Sequence, residues 1–188
     1  MIMIQLIALL RGINVGGKNI IRMSDLKGCF ENQGFMDIQT YIQSGNVIFK
    51  TNENNKIELI NQIEKALAVQ FNYDSKIVLL SHQHLESVVT EAPVDFGTFP
   101  DKYKYDVIFL RDGLVPNEIL KRIKIKVGVD NADAGNFTLY FSRLISNLAQ
   151  SHLKSIMAHP EYQNMTIRNW RTTKEILNMM NKNKSTIA

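Results

Sequence analysis

The sequence predicts an α+β protein built as two tandem ferredoxin-like halves, each β-α-β-β-α-β with a closing helix, with antiparallel or mixed sheets and helices packed on one face. Three observations carry this prediction. An apolar run ends at Leu10 in glycine-rich sequence, a four-residue turn at Gln43–Asn46 separates two β-rich segments, and from Pro100 the same order of elements recurs.

The run Gln5 to Leu10 suits a central strand. Ser24 is placed to cap a first helix carrying Leu26 and Phe30, and Gly34 falls where such a helix ends. Ile38 to Ile42 and Val47 to Phe49 read as a hairpin around Gln43, Ser44, Gly45 and Asn46. Ile57, Ile60, Ile63 and Leu67 form a helical stripe, Ile77 to Leu80 a strand, and Leu85, Val88 and Val89 a short helix that Pro93 ends. In the second half, Val107 to Leu110 reads as a strand and Pro116 to Arg122 as a helix with proline in its first turn. Ile123 to Val129 and Phe137 to Phe141 read as strands around the turn-rich DNADAGN, followed by a helix over Ile145 to Ala158. Met165 to Arg168 reads as a strand and Trp170 to Met180 as the last helix. The halves are expected to span 1–95 and 96–182, with VDFGTFPDKY as linker and 183–188 as a frayed tail.

With 188 residues and 45% hydrophobic content the chain has enough apolar surface for a core. One cysteine, Cys29, excludes an intrachain disulfide, and no zinc-type spacing or metal site is expected among the four histidines. The first ten residues lack a basic leader and a cleavage site, and no run approaches the roughly 20 apolar residues of a spanning helix. A cytoplasmic protein without membrane or cofactor is expected. The net charge of +4 leans toward acidic partners.

The stretches ALLRGINVGGKN, GF.DIQTYIQSGNVIF and MTIRNW resemble the signature blocks of the bacterial family called domain of unknown function 1697, over Ala8 to Leu177. The resemblance implies a compact α+β protein and no particular activity. It departs from the family pattern at Arg22, where many members have proline, and at His152, where many have lysine; a histidine would hold an anion weakly at neutral pH.

In the split βαβ motif the ends of the first two strands meet at one edge of the sheet. Arg11, Asn14, Lys18 and Asn19 should therefore share a rim with Gln43, Ser44 and Asn46. Gly12 to Lys18 fits the spacing GxxxxGK, but Asn19 stands where a P-loop needs Ser or Thr, and the expected helix starts more than a turn too late to face a phosphate. A glycine turn at a strand exit is the plainer reading, and an anion nest of backbone N–H groups beside Arg11 and Lys18 is the functional one. Ser-Gly-Asn is ordinary hairpin chemistry, Asn169 is placed to cap the last helix, and Trp170 suits a core. The same residues, with Arg168 as a bidentate anion partner, are candidate ligand contacts.

Binding of a small anionic or phosphorylated ligand at the glycine-rich rim is the leading expectation. An alternative nucleic-acid role would use Arg122, Lys124 and Lys126 on one face of a strand, with Tyr103, Tyr105 and Tyr140 for stacking. An enzyme using the rim as an electrostatic clamp and a purely structural or oligomeric protein complete the alternatives. No nucleophile elbow and no carboxylate pair stands out, and His82 and His84 read as surface turn residues.

Overall fold

The computed structural model describes residues 3–17 and 19–184. The chain forms two compact units, Met1–Gln83 with Asn178–Ala188, and His84–Leu177. Each contains a four-stranded, wholly antiparallel sheet.

In the first unit the strands are β1 (Ile4–Leu10), β2 (Met36–Tyr41), β3 (Asn46–Thr51) and β4 (Ile77–Ser81), in the order β2-β3-β1-β4. Helices α1 (Met23–Glu31) and α2 (Lys56–Phe71) share a core with one sheet face: Leu26, Phe30, Leu59, Ile63 and Leu67 meet Leu6, Ala8, Val47, Phe49 and Leu79. The period of two along β1 and β3 puts those strand residues on one side, and the helical period does the same for α2. Asn55 caps α2 by accepting from the Ile57 and Glu58 N–H groups. Capping of α1 differs from expectation, because Arg22 occupies the cap position without a side-chain bond and Ser24 lies inside the helix. The outer strand β2 is irregular, with a register shift between Met36 and Gln39 and a φ of 51° at Asp37.

The second unit repeats the pattern with β5 (Tyr103–Leu110), β6 (Asp130–Ala134), β7 (Thr138–Leu144) and β8 (Met165–Asn169), ordered β6-β7-β5-β8. Ile119 of α4 (Pro116–Arg122) and Ile156 of α5 (Leu153–Met157) cover Ile108, Leu110, Leu139, Phe141 and Met165. Both strand orders are consistent with tandem ferredoxin-like halves. Two further helices, α3 (His82–Thr90) and α6 (Trp170–Lys184), follow β4 and β8 directly. From His84 onward α3 belongs to the second unit, and from Asn178 onward α6 belongs to the first, so the compact units do not follow the 95/96 division expected from the linker. The expected tail is helical at 183–184, and its remainder lies outside the described residues.

Two expected elements are corrected. Ile123–Val129 is not a strand; the polar DNADA that follows is. The buried Asp130 carboxylate accepts from the Lys126 N–H at 2.9 Å and from the His152 N–H at 2.8 Å, which folds 126–130 into a turn, and the strand begins with Asp130 opposite Arg143 of β7. Alternation without a burial partner does not make a strand: Ile125 is 42% and Val127 87% exposed. The helix expected over Ile145–Ala158 is broken into a 3₁₀ turn (Ile145–Gln150) with non-helical Asn147, and α5. The supposed linker is also structured, since Phe96 stands edge-on to Tyr105, Tyr140 and Trp170 at 5.0–5.2 Å. Among the described residues no helix is long and apolar enough to cross a membrane.

Candidate functional site

The structure joins the two sides of the expected rim. The Leu10 N–H donates to the Gly45 carbonyl at 2.8 Å, and Asn14 Nδ2 donates to the Gln43 carbonyl at 2.9 Å. Three of the amides that were candidates for a ligand, Asn14, Asn19 and Asn46, are engaged with the chain itself. Asn14 also donates to the Ile21 carbonyl and accepts from the Ile21 N–H, Asn19 Nδ2 donates to the Gly12 carbonyl, and buried Asn46 donates to the Tyr41 carbonyl and Ser44 Oγ. They tie Gly12 to Asn19 and Asn14 to Ile21. No helix opens after Gly17, so the stretch is not a P-loop. Positive φ at Gly12, Asn14 and Gly16 alternates with Ile13 and Val15, as in an anion nest, although the Asn14 N–H already donates to the Asn19 carbonyl at 3.1 Å. Lys18 lies outside the described residues.

The second unit holds a cleft of about 600 Å³. It forms because β8 pairs with β5 only from Asp106 onward, where Asn169 stands opposite, so Tyr103, Lys104 and Tyr105 extend beyond the end of β8. There the chain turns into α6. Asn169 caps this helix, its Oδ1 accepting from the Thr172 N–H at 2.7 Å. Trp170 follows, 9% exposed, with its indole so close to Gly97 that a Cβ there would lie 2.2 Å from Cδ1 and Nε1. Gly97 has φ +88°, so glycine is required twice over.

The cleft wall thus combines the rings of Tyr103, Tyr105 and Trp170 with the cations Lys104, Arg143, Arg171 and Lys174. Arg143 Nε and Nη2 both donate to Asp106 Oδ2, at 3.1 and 2.5 Å. Lys174 Nζ lies 5.6 Å from the Trp170 ring centroid. Lys104 and Arg171 are exposed and have no carboxylate partner among the described residues. Of the sequence candidates, Asn169 and Trp170 line this cleft, as do Tyr103 and Tyr105 from the nucleic-acid alternative, and Arg168 does not. Arg168 is 7% exposed, and its Nη1 donates to Thr166 Oγ1 and the Ile167 carbonyl, each at 2.8 Å. Burial pulls its guanidinium down to about 10. Lys104, Asp106, Arg143, Arg171 and Lys174 were missed. The signal available for two of them was the spacing of Arg171 and Lys174, one helical turn apart just after a capping asparagine.

The cationic strand face dissolves with the strand that was to carry it. Arg122 ends α4, while Lys124 and Lys126 lie in the irregular segment after it, with the Lys126 N–H held by Asp130. Tyr140 is buried and donates to the Val88 carbonyl at 2.8 Å, so it offers no ring for stacking. His82 and His84 open α3 and are not surface turn residues; His82 is buried beside Asn181, and the His84 ring lies 4.7 Å from that of Phe137. Among the described residues no cluster of histidine, cysteine or carboxylate side chains is arranged to hold a metal ion.

Residues 3–140 match the family described as a protein of unknown function, DUF1697. The chain belongs to this family. The match covers β1 through most of the second unit and stops before MTIRNW, so the third block stands outside it. A solved structure of the conserved bacterial protein SP0830 from Streptococcus pneumoniae is similar over nearly the full length. It shares 26% identity and a TM-score of 0.82, with 95% of this chain and 99% of that chain covered. No curated protein matches this member of the family. Neither relationship carries a biochemical role.

Proposed function

We propose that this protein binds a small anionic or phosphorylated ligand, and that the cleft at the start of α6 is where it does so. The observation that carries the reading is the convergence of Lys104, Arg171 and Lys174 on a cleft walled by aromatic rings, with no carboxylate compensating Lys104 or Arg171. Pockets of this size suit small metabolites, and clustered cations with apolar walls suit a phosphate attached to a larger body. The reading implies a cytoplasmic protein, where such ligands are made and used. Trp170 is the chain's one tryptophan, so its emission reports on the cleft directly. Titration with pyrophosphate should give a saturable emission change. Calorimetry should show affinity falling at least tenfold in the Arg171→Ala, Lys174→Ala double variant. An unchanged affinity in that variant, or no saturable signal, would remove the reading.

A second reading keeps the anion at the glycine-rich loop, favoured by the alternating positive φ over Gly12–Gly16. It has less support, because the Asn14, Asn19 and Asn46 side chains are already bonded to the chain. Loss of pyrophosphate binding in Arg11→Ala, with the double variant above unaffected, would move the site there.

A further inference from the structure

We infer that the cleft is built for a phosphorylated polyol, a sugar phosphate free or within a nucleotide, in preference to a bare anion. The inference rests on the anion-binding reading above and adds the feature that reading leaves unexplained, a buried carboxylate inside a cationic cleft. Asp106 is 8% exposed and lines the cleft. Both bonds from Arg143 end on Oδ2, and Oδ1 takes no bond from any described residue. A site shaped only for phosphate gains nothing from an acceptor oxygen, which repels the ligand and is left without a donor.

The neighbouring group has the opposite character. Asn169 stands directly across from Asp106 in the β5–β8 register. Its Oδ1 is committed to the Thr172 N–H, which leaves the NH₂ group to donate. Side by side on adjacent strands, an acceptor and a donor match adjacent hydroxyls, one giving its proton to Asp106 Oδ1 and the next accepting from Asn169 Nδ2. A hydroxyl does both, whereas a phosphate oxygen only accepts. Arg143 holds the Asp106 carboxylate in place and offsets its charge, so a phosphate can approach Lys104 and Arg171 without opposing a net negative wall. The rings of Tyr103 and Tyr105 offer apolar faces to the carbon side of a sugar.

The test is calorimetric titration of the full chain with inorganic phosphate, ribose 5-phosphate and AMP. Ribose 5-phosphate should bind at least tenfold more tightly than inorganic phosphate. That ratio should fall toward one in Asn169→Ser, which keeps a capping oxygen but loses the NH₂ group, and in Asp106→Asn, with folding of each checked by circular dichroism. AMP binding more tightly than ribose 5-phosphate would support a nucleotide as the source of the sugar phosphate. AMP binding more weakly would support the free sugar phosphate. Equal affinities for inorganic phosphate and ribose 5-phosphate in the wild type would overturn the polyol inference while leaving the anion reading standing. Failure of all three compounds to bind would end both. A ratio unchanged in both folded variants would also overturn the assignment to Asp106 and Asn169.

Discussion

At the end of β1 the chain leaves the first sheet through residues 11–22 before α1 begins; at the end of β5 it leaves the second through residues 111–115 before α4. The exits are anchored identically. The Leu10 and Leu110 N–H groups donate to the carbonyls of Gly45 and Phe137, each just before or beside the third strand of its sheet, at 2.8 and 3.2 Å. The Arg11 and Arg111 N–H groups donate to Lys76 and Asn164, each immediately before the fourth strand or its connecting residue, both at 3.0 Å. The repeat is therefore written in backbone hydrogen bonds, where residue identity is free to drift. What differs is how each unit uses the space around its sheet. The first invests a long loop, stapled by Asn14, at the exit of its central strand. The second keeps that exit short and opens its cleft at the other end of β5, where α6 starts.

The largest expected effect tests whether the two anchors are equivalent. Gly45 has φ +72°, and a Cβ there would lie 2.7 Å from Leu10 Cβ and 2.8 Å from Ile13 Cδ1. Backbone strain and overpacking together should make Gly45→Ala cost about 3 kcal/mol. The matching Phe137→Ala, at a site 37% exposed, should cost less than about 1 kcal/mol. Urea denaturation of both variants checks this, and similar midpoints would mean that the first hairpin is not held as tightly as its contacts indicate.

Next is the staple itself. Asn14→Ala removes three hydrogen bonds and leaves the Ile21 N–H without its acceptor, for an expected loss of about 2 kcal/mol. Faster amide exchange confined to residues 11–21 would support a local role, and protection as in the wild type would contradict it. At the cleft, Asn169→Ala should cost about 1 kcal/mol through the lost cap, and Asn169→Ser close to nothing, as read from thermal midpoints. A Ser variant as damaged as the Ala variant would show that capping is not what the residue contributes to stability.

The smallest effect is seen in alkali and separates the units by their titrating groups. Burial pushes the Tyr140 hydroxyl above its ordinary 10.0 in the second unit. In the first, burial lowers Lys76, but the Glu64 and Asp74 carboxylates outweigh it and hold the amine above 10.5. Both groups have folded values above their unfolded ones. Their contributions are complete below about pH 10 and are lost as pH rises through the folded values. Tyr140→Phe should flatten the alkaline decline in denaturation midpoint, at the expense of its bond to Val88 at neutral pH. A decline as steep as the wild type's would assign the alkaline loss to other groups.

The sequence made the strand and helix order of the first unit readable because each element carries its own signal: the run into Leu10, the Ser-Gly-Asn turn, the stripe through Leu67. It misled at Ile123–Val129, where alternation matched a strand but Asp130 chose the register through the bonds its carboxylate accepts from the Lys126 and His152 N–H groups. Propensity is local and that choice is not. The cleft was legible at Asn169 and Trp170 and, for a different partner, at the rings of Tyr103 and Tyr105. Lys104, Asp106 and Arg143 become neighbours through strand register and through where β8 stops, neither of which a single sequence displays. Asn14 does reach Gln43 across the expected rim, yet the Asn14, Asn19 and Asn46 side chains act there as fasteners of the chain itself.

The irregular β2 has a bearing on how this protein tolerates crowding by its own copies. An outer strand with straight, unpaired N–H and C=O groups is a template on which another chain can add and fibrils can grow. The register shift between Met36 and Gln39, with Asp37 turned into the left-handed region, interrupts that row along β2 and sets a charge beside the break. A strand approaching from outside finds no continuous ladder to copy along this edge.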